Sequence, residues 1–169
     1  MVYSTMDELS ELLQRETGQK LDNSLTEGLY ASYPNGGFYR RHLDSFKDTP
    51  QELRKFSFLL YCNEGWQPSD GGCLRIHTDG GGVLAPAGAP PSYVDVEPKA
   101  GTLVLFDSVT VPHEVLNTNA ARLAMVGWFN SPPQGSDFRR TLIAGLAGAL
   151  LVGNGVKSLV GALGGGGDK

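Results

Sequence analysis

The spacing of hydrophobic and polar positions changes once along the chain. Residues 5–16 (TMDELSELLQRE) carry apolar side chains at helical spacing, with Thr5 and Glu8 arranged as in a capping box, and predict one amphipathic helix. From Gly28 onward, short β-rich runs alternate with Gly, Pro, Asn and Asp. These runs predict strands near 28–33, 38–44, 54–63, 72–77, 93–97, 101–107, 112–117 and 121–130. So many strands with little helix between them are typical of an antiparallel barrel or sandwich.

The end of the chain is rich in Gly, Ala and Leu. Asn154 and Lys157 interrupt its apolar run, 141–163, before it reaches the ~20 residues that cross a bilayer. A membrane anchor is therefore the less favoured alternative for this tail. We expect an N-terminal supporting segment, a core domain and a C-terminal appendage that is helical or disordered, with the bounds 1–27, 28–131 and 132–169.

Composition narrows the functional classes. The chain has 169 residues, 40% of them hydrophobic and 19% charged, as expected for one globular domain. A net charge of -4 provides no basic surface for nucleic acid or an anionic membrane. Cys62 and Cys73 are too few for a disulfide framework, and each is interpreted as a small buried residue. The expected location is the cytoplasm, with the nucleus as an alternative.

The pattern His-x-Asp occurs twice, as His42 and Asp44 in RRHLDSF and as His77 and Asp79 in RIHTDGG. On a strand, residues i and i+2 point to the same side, so either pair could direct an imidazole and a carboxylate to one metal ion. The one remaining histidine is His113. At most one of the two pairs can therefore complete a site of two histidines and one carboxylate.

The context of each pair favours the first. Asp79 begins the run Asp-Gly-Gly-Gly, where an aspartate typically bonds its own backbone in a turn. His42 and Asp44, in contrast, close a predicted strand. We therefore expect His77 to be exposed and to have no chemical role.

A cation follows the third histidine in PHEVLNTNAARLAMVGWF. Arg122 is the first charged residue of an otherwise apolar strand, and alternation places it on one face with Ala124, Val126 and Trp128. An arginine directed into an apolar barrel requires an anion, because a buried unpaired charge is costly. The alternative is an exposed arginine paired with a surface carboxylate.

Five motifs between about Tyr30 and Asn130 carry a family resemblance: YPNGGFYRRHLD, FLLYCNEGW, GGCLRI, VDVEPKAGTLVLF and PHEV…RLAMVGWF. Together they resemble the prolyl 4-hydroxylase branch of the Fe(II)- and 2-oxoglutarate-dependent dioxygenases. Within that branch, the soluble prolyl hydroxylases related to the hypoxia-inducible-factor enzymes are the most similar. The collagen-type enzymes carry lysine where this chain has Arg122, which favours the soluble type.

The resemblance implies a mainly β double-stranded β-helix, that is, a jelly-roll, cupin-like barrel. In that fold the metal-binding pair comes from the second strand and the lone histidine from the seventh, with four strands between them. The predicted strands place four between Asp44 and His113 but only two between Asp79 and His113. The implied site residues are the metal ligands His42, Asp44 and His113, the 2-oxoglutarate-binding residues Arg122, Tyr61 and Tyr33, and the substrate-pocket residues Arg41 and Trp128.

The implied activity is hydroxylation of a prolyl residue in a protein substrate. Fe(II) is the cofactor, O2 and 2-oxoglutarate are consumed, succinate and CO2 are released, and ascorbate is implied by the family. The loop 45–53 resembles no particular member, so the protein substrate stays unspecified. Two alternatives remain open: an oxygenase acting on a non-prolyl or small-molecule substrate, and a catalytically silent β-helix module that binds a partner.

Overall fold

In its described residues the chain forms one α-helix followed by antiparallel strands. The computed structural model describes residues 2–22, 27–78, 92–132 and 157–159. The helix is α1, Val2–Thr17, and a short 3-10 helix covers Pro68–Asp70. The strands are β1 Glu27–Tyr33, β2 Tyr39–His42, β3 Arg54–Tyr61, β4 Leu74–His77, β5 Tyr93–Val96, β6 Leu103–Asp107, β7 His113–Val115, β8 Arg122–Asn130 and β9 Lys157–Leu159.

Two sheets form from these strands. The major sheet has the order β6-β3-β8-β1-β9, and the minor sheet has the order β2-β7-β4-β5. Every strand pair is antiparallel. A shared apolar core joins the sheets, with Leu59, Val104 and Ala124 from the major sheet packing with Leu74 and Val115 from the minor sheet. This topology confirms the double-stranded β-helix implied by the sequence.

Helix α1 covers the outer face of the major sheet. Met6 and Leu13 pack there against three phenylalanines, Phe56, Phe58 and Phe129, whose side chains alternate away from the barrel interior. The helix begins at Val2, so Thr5 lies inside it and does not form the expected N-cap. The amphipathic pattern thus predicted the helix, while the capping motif misplaced its start.

The C-terminal tail contributes one short strand. Lys157–Leu159 pairs with β1 at the edge of the major sheet, where unpaired backbone groups are available. For these three residues the expected helix or disorder is wrong. The remaining residues of the tail, 133–156 and 160–169, lie outside the described residues, as do Asp79 and most of the Gly-rich segment. Among the helices that are described, none is long and apolar enough to cross a membrane.

Candidate active site

The first candidate site lies where β2 pairs with β7. His42 is the last residue of β2, and its register partner is His113, the first residue of β7. Their ring centroids are 4.3 Å apart. Asp44 lies beside both rings, with 3.3 Å from its Oδ1 to His42 Nε2 and 3.7 Å from its Oδ2 to His113 Nε2. Ligand atoms of the three residues lie within 4.8 Å of one another, so one metal ion can contact all three.

Both imidazoles direct their Nε2 atoms toward the carboxylate of Asp44. His42 Nδ1 lies 2.8 Å from the carbonyl oxygen of Arg40, and His113 Nδ1 lies 3.1 Å from that of Val111. A carbonyl can only accept, so each Nδ1 carries the proton and each Nε2 keeps its lone pair. His42 Nε2 and Asp44 Oδ1 are then two acceptors that face each other, an arrangement that a cation between them stabilises.

The electrostatics of these groups suit a metal ligand set. Burial by itself raises the pKa of Asp44, but its contacts with His42, His113 and Ser57 lower that pKa well below its usual range. Burial lowers the pKa of His113. An ionised carboxylate and a neutral imidazole are the forms that bind a metal ion.

Asp44 differs from its predicted place. Strand β2 ends at His42, so Asp44 lies beyond the strand and is held by other contacts. Its backbone N–H donates to the carbonyl oxygen of Ser108 at 3.2 Å. Its Oδ2 accepts hydrogen bonds from Ser57 Oγ at 2.6 Å and from Trp128 Nε1 at 3.1 Å. Sequence reasoning missed the two serines, although Ser57 occupies an inward-facing position of an apolar strand.

A second candidate site surrounds Arg122, deep in the barrel. The side chain starts on the inner face of β8 and is 2% exposed. Its guanidinium carbon lies 5.0 Å from the ring centre of Tyr33 and 4.9 Å from that of Tyr61. Its Nε donates to the carbonyl oxygen of Gly72 at 2.7 Å. These contacts fix the guanidinium between two aromatic rings.

Part of this site lacks a partner. Arg122 Nη2 and Tyr61 Oη are buried without a hydrogen-bond partner in the described structure. Burial raises the pKa of Tyr61 to about 12, although the nearby guanidinium acts in the opposite direction. A neutral phenol and a guanidinium are both donors, and leaving buried donors unpaired is costly. A carboxylate bound here would satisfy both, so the pair fits an anionic ligand such as one end of a dicarboxylate.

Gly72 makes this arrangement possible. Its φ is +71°, a conformation that other residues rarely adopt, and a Cβ at this position would lie 3.0 Å from Arg122 Cδ and 3.0 Å from Thr118 Cβ. A side chain would therefore push against the arginine that Gly72 holds through its carbonyl group. The motif GGCLRI contains this signal, but the sequence alone does not show which residue the glycine contacts.

The two residues expected at the substrate pocket occupy different surroundings. Arg41 is exposed on β2, next to the candidate ligand His42. Trp128 is buried, its indole N–H bonds Asp44, and the guanidinium carbon of Arg54 lies 3.6 Å from its ring centre. Arg54 is in turn paired with Glu27, with 2.8 Å from its Nε to the carboxylate. Trp128 thus supports a candidate metal ligand directly.

His77 departs from expectation. It is the last residue of β4 and is buried, because it packs beside Tyr93 of the neighbouring strand β5. Its Nε2 lies 3.1 Å from a carboxylate oxygen of Glu114. The expected exposure was therefore wrong. In the described part of the chain, the group of residues that could hold a metal ion consists of His42, Asp44 and His113.

Comparison with known proteins gives three consistent results. Residues 28–130 match the family model of the 2OG-Fe(II) oxygenase superfamily. The hypoxia-inducible factor prolyl hydroxylase of Caenorhabditis elegans is 28% identical over 132 residues, which make up 76% of this chain and 16% of that protein. A solved Pseudomonas putida prolyl-4-hydroxylase is 42% identical with a TM-score of 0.66, covering 78% of this chain and 65% of that one.

A third relative was solved with a peptide. It is a prolyl hydroxylase from Trichoplax adhaerens in complex with a peptide fragment of the hypoxia inducible factor oxygen degradation domain. It is 25% identical with a TM-score of 0.62, and the match covers 84% of this chain and 57% of that one. This chain therefore spans less than two thirds of the length of each of these three relatives.

Proposed function

The chain belongs to the 2OG-Fe(II) oxygenase superfamily, and from this premise we propose that it hydroxylates a prolyl residue in a protein substrate. The reaction consumes O2 and converts 2-oxoglutarate to succinate and CO2. One observation carries the proposal: a group of two histidines and one aspartate shares a barrel with a buried arginine and tyrosine whose donors lack partners. The first group suits a metal ion, and the second suits a carboxylate.

We assign iron(II) to His42, Asp44 and His113. Two neutral imidazoles and one carboxylate are the donor set of non-haem iron oxygenases, and they leave coordination positions open. Iron bound there supplies the activation of O2 and the insertion of one oxygen atom into a C–H bond. The protein's own part is to present two Nε2 atoms and one ionised carboxylate at fixed positions. The backbone carbonyls of Arg40 and Val111 orient the imidazoles. Ser57 and Trp128 hold the carboxylate.

We assign the far carboxylate of 2-oxoglutarate to Arg122 and Tyr61. The planar guanidinium suits a carboxylate better than a lysine ammonium does, and the neutral phenol adds a second donor. Tyr33 lies on the other side of the guanidinium and restricts its orientation. Because Arg122 and Tyr61 are almost fully buried, the carboxylate would bind away from bulk water.

We propose a prolyl residue of a protein as the substrate because the relatives named above are prolyl hydroxylases, one of them in complex with a peptide. Arg41 is exposed beside His42, and we assign it a contact with the incoming polypeptide. The ring of Trp128 contacts Arg54 and its indole N–H bonds Asp44, and we propose that Trp128 borders the bound substrate. Ascorbate is the reductant that the family implies.

We also propose a reducing compartment, the cytoplasm or the nucleus, as the place where the protein works. Cys62 and Cys73 are both free thiols, although Cys62 is exposed and Cys73 only partly buried, so the expected burial of both was wrong. Imaging of a tagged full-length chain tests the location, and retention in a secretory compartment would contradict it.

The activity test uses purified full-length protein with Fe(II), 2-oxoglutarate, ascorbate and a broad panel of proline-containing peptides. We expect peptide-dependent formation of succinate, with one oxygen atom added to proline as detected by mass spectrometry. His113→Ala removes a metal ligand and is expected to abolish both products. Turnover of the wild type no higher than that of His113→Ala would refute the prolyl hydroxylase proposal. Oxygen added to a residue other than proline would favour the alternative of a non-prolyl oxygenase.

The choice between the two His-x-Asp pairs has its own test. His42→Ala is expected to abolish metal binding and turnover, whereas His77→Ala is expected to leave both nearly unchanged, because His77 contacts Glu114 and belongs to no described metal-binding group. The opposite result would overturn the assignment of the site.

A further inference from the structure

Two serine hydroxyls are completely buried next to Asp44. Ser57 and Ser108 are both 0% exposed. Ser57 lies on β3 between Phe56 and Phe58, and Ser108 directly follows β6. Burying a hydroxyl is unfavourable unless it forms hydrogen bonds, so a pair of them in an apolar barrel requires an explanation.

The direction of their hydrogen bonds follows from chemistry. Ser57 Oγ lies 2.6 Å from Asp44 Oδ2 and 2.7 Å from Ser108 Oγ. An ionised carboxylate can only accept, so Ser57 donates its proton to Asp44. Ser57 is then left as the acceptor for Ser108, which donates to it. The two hydroxyls form a directed chain that ends on Oδ2.

Oδ2 receives a second donor. Trp128 Nε1 lies 3.1 Å from the same oxygen, so both of its lone pairs are engaged. Oδ1 faces His42 Nε2 at 3.3 Å, and this nitrogen carries no proton when Nδ1 donates to Arg40. Oδ2 nevertheless lies only 3.7 Å from His113 Nε2. Both carboxylate oxygens could therefore bind one metal ion unless hydrogen-bond donors occupy Oδ2.

Ser108 also fixes the backbone beside this carboxylate. Its carbonyl oxygen accepts from the N–H of Asp44 at 3.2 Å and from the N–H of Ser45 at 3.1 Å. Its own N–H donates to the carbonyl oxygen of Lys55 on β3 at 2.9 Å. Asp44 lies beyond the end of β2, so these bonds replace the strand pairing that would otherwise position it.

We propose that Ser57, oriented by Ser108, is a positioning residue that reserves Oδ2 of Asp44 for hydrogen bonds and leaves Oδ1 as the single carboxylate oxygen offered to the metal. This inference rests on the proposed function, because it requires a metal ion at His42, Asp44 and His113. A carboxylate bound through one oxygen keeps a coordination position open, which an enzyme that binds both a keto acid and O2 requires.

Ser57→Thr and Ser57→Val provide a matched pair, because the two new side chains have the same shape and only threonine keeps the hydroxyl. The probe is Co(II), whose visible absorption reports how many ligand atoms surround it. We expect Ser57→Thr to bind Co(II) like the wild type. Ser57→Val should bind it ~10–100-fold more weakly, the usual effect of removing a residue that supports a ligand, with an altered spectrum at saturation.

Equal affinities and equal spectra for Ser57→Thr and Ser57→Val would overturn the proposal. Ser10→Ala is the control for loss of a buried hydroxyl elsewhere, since Ser10 Oγ is buried without a partner in the described structure. We expect this variant to bind Co(II) like the wild type. Should Ser57→Val fail to fold, Ser108→Ala takes its place, with weaker Co(II) binding expected and unchanged binding contradicting the role.

The wild type and His113→Ala separate this proposal from the proposed function. If the wild type binds Co(II) and His113→Ala does not, the metal site stands and the serine variants decide the positioning role alone. If the wild type binds no Co(II), the metal site is refuted, and the positioning role falls with it.

Discussion

Tyr61 is a residue whose protonation reports on its surroundings. Burial raises its pKa from 10.0 to about 12, so the folded protein holds this proton more tightly than the unfolded chain does. The resulting stability is fully present below about pH 10 and is lost as the pH rises toward 12. A shift of this size corresponds to about 3 kcal/mol in the free energy of unfolding.

We therefore expect the free energy of unfolding of the wild type to fall relative to that of Tyr61→Phe as the pH rises across this window. Urea denaturation at a series of alkaline pH values measures the difference. Tyr39, whose pKa is raised by burial and by Asp44, titrates in both proteins and cancels in the comparison. A difference that does not change with pH would contradict the raised pKa of Tyr61.

Arg122 gives a prediction on cosubstrate binding. Arg122→Lys keeps the positive charge but loses the planar group and the bond from Nε to Gly72. We expect the dissociation constant of 2-oxoglutarate to rise ~10–100-fold, as for the loss of a hydrogen bond to a charged group. Calorimetry on the Mn(II)-loaded protein without O2 measures it.

Arg75→Lys is the matched control for that substitution. Arg75 also stacks on a tyrosine, Tyr93, with 3.8 Å to the ring centre, but it pairs with Asp95 on strands β4 and β5. This variant is expected to bind 2-oxoglutarate like the wild type. An equal rise of the dissociation constant of 2-oxoglutarate in both variants would contradict a specific role of Arg122.

Single residues differ in how far sequence could predict them. Arg122 was predictable because alternation places a charge on an apolar face. The supporting role of Ser57 was not, because it depends on Asp44 and Ser108, which lie far from it in sequence and meet only in the folded barrel. His77 was misjudged for a similar reason, since the strand that buries it, β5, follows a long Gly-rich segment.

Helix α1 gives a prediction at the scale of one element. Leu13 is 8% exposed and belongs to the cluster that packs on the outer face of the major sheet, whereas its neighbour Leu12 is 41% exposed. Leu13→Ala is expected to lower the free energy of unfolding by ~2–5 kcal/mol because it leaves a cavity. Leu12→Ala, the same change one position away, is expected to cost about 0.5 kcal/mol or less. If urea denaturation shows similar losses in the free energy of unfolding for both variants, α1 does not pack on the sheet through Leu13.

The elements themselves were largely readable from the sequence. Alternation and turn residues predicted strands at the places of β1 to β8, because each strand is bounded by Gly, Pro, Asn or Asp. The end of β2 was misplaced, since Asp44 continues the alternation but its backbone N–H donates to the carbonyl oxygen of Ser108 and not to a neighbouring strand. Strand β9 could not be predicted, because it depends on the free edge that β1 offers.

Metal binding should stabilise the whole molecule. The candidate ligands come together only when β2 pairs with β7, so the ion binds the folded chain and not the unfolded one. At a free metal concentration 100-fold above the dissociation constant, the gain is about 2.7 kcal/mol. We expect Mn(II) to raise the melting temperature of the wild type and of His77→Ala, and a chelator to reverse this. His113→Ala should show no such shift, and an equal shift there would place the ion elsewhere.

At the scale of the whole molecule, the sequence predicted the strand order through the number of strands between Asp44 and His113. Four strands, β3 to β6, separate Asp44 from His113, as expected for a ligand pair on the second strand and a histidine on the seventh. The five-stranded order of the major sheet could not be predicted from the sequence, because its last strand, β9, comes from the tail.

The edge position of β2 has a kinetic consequence for a bound ion. Within the described minor sheet, β2 has one neighbouring strand, whereas β7 has two. Edge strands open locally at lower free energy than central ones, and Asp44 is held to the major sheet by Ser57 and Trp128. On the proposed assignment of the metal ligands, we therefore expect His42 to detach first. We then expect the residence time of a metal ion bound there to depend on how often the four-residue strand β2 separates from β7.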